Sequence, residues 1–128
     1  EFNEQLAPTG RILDVEGTCW DYRHFRKIGG QRFNHCYVNL ERDADGMATA
    51  TLRHAPSNRS IDIVMDSSFS AVVVYTGDAI SDAPRAALAI EPMTCATDAF
   101  NHPDWGLKRL EPSETCSGRY RVQHRLMS

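Results

Sequence analysis

Long apolar runs are missing from this 128-residue chain. The longest, Ala71–Val74 and Ala86–Ile90, fall far short of the roughly 20 residues a membrane-crossing helix needs, so no membrane partner is expected. A basic excess is missing too. Lys and Arg total 14 against 17 Asp and Glu, a net charge of −3, which leaves no electrostatic footprint for nucleic acid. The four cysteines (Cys19, Cys36, Cys95, Cys116) form no CxxC pair and the five histidines are scattered. Zinc sites are usually announced by close ligand pairs, so no metal site is expected. No secretory leader is visible, and without one the cysteines read as reduced thiols of a cytoplasmic protein, not as a disulfide framework. The triplet Asn58-Arg59-Ser60 fits a glycosylation sequon, but carries no weight without secretion. The chain also lacks an initial methionine, opening on Glu1, and a preceding stretch is expected to be absent. Internal repeats, low-complexity linkers and long helical periodicities are likewise not found.

What is present is alternation. Ala48, Ala50 and Leu52 interleave with Thr49, Thr51 and Arg53; Ile61, Ile63 and Met65 interleave with Asp62 and Asp66. At the C-terminal end Tyr120, Val122, His124 and Leu126 alternate with Arg119, Arg121, Gln123 and Arg125. A period of two marks half-buried antiparallel strands. Ala71–Tyr75 and Ala86–Ile90 are continuously apolar and suit central strands covered on both faces. Turn signals separate these segments at Asp43–Gly46, Pro56–Asn58, Thr76–Asp78 and Pro112-Ser113, with a short helical turn expected near Asp98–Asn101. Strands at such spacing predict an all-β fold, an antiparallel sandwich or barrel of one domain.

Two places carry candidate chemistry. Ala86–Ile90 leads straight into Glu91-Pro92. A carboxylate at the end of a buried strand is partly desolvated, which makes Glu91 a candidate proton acceptor. Pro92 cannot donate to a ladder, so the strand is expected to end there and leave Glu91 at a rim. The same residue also fits an ordinary surface glutamate closing a strand. The second place is Phe33–Leu40, FNHCYVNL, where an Asn-His pair enters an alternating segment. That pattern fits a histidine presented to a substrate, and equally a plain strand with one imidazole on its wet face. Asp21, Asp98 and Asp104 lie near turns, with nothing to separate them from solvated loop acids.

Taken together, several blocks resemble one family. Pro8-Thr9-Gly10, Val15–Thr18, Trp20–Arg23 and Ile28-Gly29 are similar to a segment written PTG, V-GT, DFR and IG. Phe33–Tyr37 stands where that family has an aromatic-Asp-His motif, and Val74–Asp78 resembles its aromatic-Thr-Gly-Asn/Asp motif. Glu91–Thr94, Asp98–Asn101 and Leu110–Pro112 resemble EPMT, DAF and L-PGE. The family is the aldose 1-epimerases, or galactose mutarotases, and the blocks match the C-terminal half of such an enzyme.

The resemblance implies a galactose mutarotase-like supersandwich, with residues 1–128 as the C-terminal portion of a single domain. It implies interconversion of the α and β anomers of a free aldose, with Glu91 as general base. Asn34, His35 and Tyr75 are implied to bind the monosaccharide. Motif order makes His35 a supporting residue; the general-acid histidine is expected in the missing N-terminal half, the one partner segment implied. No metal or organic cofactor is implied. Two positions depart from the pattern: Asn34 replaces an aspartate, and Val73 stands where many members have a glutamine. The alternatives are a carbohydrate-binding sandwich without catalysis and an accessory half that pairs with a separate chain.

Overall fold

The computed structural model describes residues 2–3 and 7–127. Its six strands are β1 (Asn34–Val38), β2 (Ala48–His54), β3 (Arg59–Met65), β4 (Ala71–Tyr75), β5 (Ala89–Met93) and β6 (Tyr120–Leu126). The helical elements are two single 3₁₀ turns, Ala55–Ser57 and Pro103–Trp105. All strand pairings are antiparallel, in two three-stranded sheets ordered β1-β4-β5 and β2-β3-β6. The fold is all-β and sandwich-like, as the alternation predicts. Among the described residues no helix is long and apolar enough to cross a membrane.

The sheets meet through one face of each. Directly opposed residues of antiparallel strands point to the same side, so the register assigns every side chain to a face. Val72 and Val74 of β4 and Ile90 of β5 pack with Ala48 and Ala50 of β2 and Met65 and Ile63 of β3. Met65, 1 % exposed, is the largest side chain fully enclosed there. Further along the same face of the second sheet the cover stops. Ile61, Val122 and Leu126 are exposed although their alternation is that of core residues.

The opposite face of β3 shows the reverse. Ser60, Asp62 and Val64 are buried. Asp62 accepts a hydrogen bond from the Thr51 hydroxyl at 2.9 Å and an ion pair from Arg125 at 2.8 Å, so long side chains of the flanking strands cover this face.

The turns follow the sequence signals. Asp43 Oδ1 accepts from the amides of Asp45 and Met47, closing the β1–β2 connection. Asn58 adopts φ 53° after the 3₁₀ turn. Asp98 accepts backbone bonds from Asn101 and His102, which makes the short helical turn expected there.

One strand departs from expectation. Ala71–Tyr75 is central, but Ala86 and Ala87 are exposed in the preceding turn and the strand runs Ala89–Met93 at the sheet edge. Pro92 therefore sits inside a strand, tolerated because an edge strand leaves one side of its ladder unpaired. Glu91 is exposed in mid-strand, not at the rim of a buried one.

Candidate functional site

The register of the first sheet determines which chemistry meets. Asn34 lies opposite Tyr75, and Val73 lies between Cys36 and Glu91. Asn34, Cys36, Val73, Tyr75 and Glu91 thus share the face turned away from the second sheet. Asn34 and Glu91 stand two strands and two residues apart, about 12 Å between Cα atoms from ordinary strand spacings. Val73 and Tyr75 form the floor between them. Asn34 and Glu91 are exposed, and Val73 and Tyr75 are half-buried. The Tyr75 hydroxyl accepts a hydrogen bond from the Ala79 amide at 3.1 Å, which turns it toward the β4–β5 connection.

The Thr76-Gly77-Asp78 turn holds these strands at one end. Thr76 is buried; its hydroxyl accepts from the Phe33 amide at 2.9 Å, and its own amide donates to the Phe33 carbonyl at 3.1 Å. The Thr76 hydroxyl also bonds Asp78. Arg85 donates to Asp78 at 2.9 Å and to the carbonyls of Gly29 and Gln31 at 2.8 and 3.2 Å. The Thr76 hydroxyl and the Arg85 guanidinium hold the Asp78 carboxyl below the usual carboxylate range. This bracket ties the approach to β1, the end of β4 and the approach to β5, the strands that carry Asn34, Tyr75 and Glu91. Gly77 takes φ 70° with Ile80 and Ala87 close by, so a side chain there is both strained and crowded. The sequence block Val74–Asp78 marked the turn, but not its partner Arg85.

His35 is on the other face. Its ring lies against that of Trp20, centroids 3.9 Å apart and planes tilted by 36°, and meets Phe33 and Phe2 edge-on at 6.3 and 6.4 Å. Burial pushes its imidazole below the ordinary value. Tyr37, on the same face, donates its hydroxyl to the Trp20 carbonyl at 3.2 Å, and burial pushes the phenol up to about 12. The loop that carries Trp20 is braced by Asp21, whose two carboxylate oxygens take the fork of Arg23 at 2.9 and 2.8 Å. That bonding holds Asp21 down to about 2.

A cleft of ≈ 2340 Å³ lies on this inner side between Trp20, His35, Tyr37, Val72, Ile90 and Ala50. Asn34 and Tyr75 also border it, whereas Val73 and Glu91 do not. Its walls are mainly apolar, and the Tyr37 hydroxyl is already committed to Trp20. The outer face carries the exposed Asn34 amide and Glu91 carboxylate on either side of the half-buried Val73 and Tyr75. The structure therefore brings Asn34, Tyr75 and Glu91 together and separates His35 from them. Among the described residues no group of three or more His, Cys, Asp or Glu side chains is placed to hold a metal ion.

Asp98 and His102, whose ring stacks on Trp105 at 4.0 Å, form a separate cluster against Gly10. The PTG and DAF blocks thus meet each other. Searches among curated proteins and among solved structures returned no match. The family model for aldose 1-epimerase matches residues 1–123. With that match over nearly the whole chain, and an all-β fold, the chain belongs to the aldose 1-epimerase family.

Proposed function

We propose that this chain is the C-terminal portion of an aldose 1-epimerase domain and that it carries the general base of anomer interconversion. Glu91 accepts the proton of the C1 hydroxyl while an acid protonates the ring oxygen. The C1–O5 bond breaks as C1 becomes a carbonyl, the C1–C2 bond rotates, and reclosure on the other face returns both protons and gives the second anomer. A positioned acid or base each contributes typically 10²–10⁴-fold. Asn34 binds a sugar hydroxyl through its amide, without the charge assistance of an aspartate, and Tyr75 lies beneath the ring. The observation that carries this reading is the register placing Asn34, Tyr75 and Glu91 on one face.

The acid is a histidine of a segment that precedes this one in the full polypeptide. His35 does not fill the role, because it lies across the sheet from Glu91 with its ring against Trp20. Its part in sugar binding is indirect: it seats the backbone from which Asn34 projects, and its Nδ1 accepts from the Asn34 backbone N–H at 3.1 Å.

The exposure of Glu91 favours a second reading, a sugar-binding sandwich without catalysis. Polarimetry on a freshly dissolved pure anomer separates the two. The full polypeptide is expected to accelerate equilibration above the spontaneous rate. Saturable sugar binding without acceleration would establish the second reading instead.

A further inference from the structure

The face that carries Glu91 is poor in groups able to hold a sugar hydroxyl. Val73 lies directly across from Glu91, and Cys36 lies beyond it in the same row. The next row toward the far end of the strands is Val38, Ala71 and Met93, all apolar. In the row of Asn34, Ala89 offers nothing, and the Tyr75 hydroxyl accepts from the Ala79 amide and keeps its own proton to donate. The polar groups of this face therefore lie toward its ends, Asn34 and the Tyr75 hydroxyl in one row and Glu91 in the next, with a thiol that bonds weakly and the Val73 methyls between. A fully hydroxylated hexose laid across this floor leaves a hydroxyl facing the Val73 methyls without a partner, stripped of its water.

We propose that the site selects a deoxyaldose, with the carbon that lacks its hydroxyl seated over Val73, and that Val73 is the residue that determines this preference. The inference rests on the sugar-site reading given above and deepens it. A methylene on the floor keeps its contact with the valine and with the Tyr75 ring, and loses no hydrogen bond. The hydroxylated analogue in the same pose gains nothing from the valine and loses solvent. Apolar surfaces discriminate against an added hydroxyl only modestly, so the preference is expected at about tenfold in kcat/KM.

The test compares glucose and galactose with their 2-, 3-, 4- and 6-deoxy derivatives, following anomer equilibration by the full polypeptide above the spontaneous rate. At least one deoxy derivative is expected to exceed its parent by about tenfold. Val73→Thr, which keeps the shape and adds a hydroxyl, should remove that derivative's advantage over its parent, while the ratios of the other derivatives to their parents stay as they were. Val73→Gln should act in the same direction, and serves if the threonine variant turns its hydroxyl into the sheet. A uniform loss of rate across all deoxy sugars, or Val73 variants that shift every sugar equally, overturns the preference while leaving the epimerase reading intact. Acceleration of no sugar at all, with Val73 and Glu91 unaltered, overturns the underlying reading and this one with it.

Discussion

The two faces of the β1-β4-β5 sheet differ in what they meet: one packs, and the other carries the residues proposed to act. The inner face presents His35, Tyr37, Val72, Val74 and Ile90, closed by an aromatic loop and by the second sheet. The outer face presents Asn34, Val73, Tyr75 and Glu91, with its two polar residues exposed. Adjacent residues of one strand thus serve opposite ends: Asn34 points to the candidate site and His35 into packing. Sequence adjacency in a strand separates functions, because the pleat sends neighbours to opposite sides.

That division is open to direct attack. The largest effect is expected at Glu91. Glu91→Gln keeps size and an acceptor oxygen but has almost no basicity, so turnover should fall on the order of 10²-fold or more. The melting temperature and sugar affinity should barely move; an equal loss of both would place Glu91 in structure and not in chemistry.

Next in size is Met65→Ala, on the inner side of the second sheet. A fully enclosed methionine cut to alanine is expected to cost about 2–5 kcal/mol by denaturant titration, with turnover of the folded fraction preserved. A cost well under 1 kcal/mol would show that the two sheets do not pack as described.

A smaller loss is expected at the bracket that joins the strands. Thr76→Val removes the partner of Asp78 and leaves the buried Phe33 amide without its acceptor, the latter costing about 1–3 kcal/mol. Asp78 is held with a lowered pKa, so the stability it contributes is present above its unfolded value and lost as pH falls through its folded one. The Thr76→Val variant should accordingly show a shallower acid limb in a stability-versus-pH titration.

The smallest effect is the titration of His35. Its folded pKa lies below the ordinary 6.5, so the unfolded chain binds a proton first as the medium acidifies. Stability should be full above about pH 6.5 and decline as pH falls from there toward the folded pKa. His35→Phe, which keeps a ring against Trp20, should remove that slope without changing the pH profile of turnover. A displaced turnover profile in this variant would bring the imidazole back to the sugar.

Much of this could be read from residue order. The alternation of Ala48–Arg53 and Tyr120–Leu126 located β2 and β6, because a period of two has one cheap solution when one face is dry. The motif blocks pointed to the family and to Glu91. Ala86–Ile90 misled: a run of small apolar residues reads as a buried strand, yet Ala86 and Ala87 lie exposed in a turn. Alanine is too small to compel burial, and the pairing of Ala89–Met93 with Val-rich β4 decided the register instead.

Periodicity determines which side chains share a side, since the pleat is a local property of the backbone. It carries no information about what covers that side. Ile61 and Asp62 show the limit: by sequence the isoleucine belongs inside and the aspartate outside, yet Ile61 is 41 % exposed and Asp62 is 7 % exposed. Cover comes from segments distant along the chain, here Thr51 and Arg125 laid over Asp62. The bonds from Arg85 to the Gly29 and Gln31 carbonyls and from the Phe33 amide to the Thr76 hydroxyl are of the same kind. Each joins positions far apart in sequence, whose meeting depends on long-range strand pairing and on loop paths that no local pattern encodes.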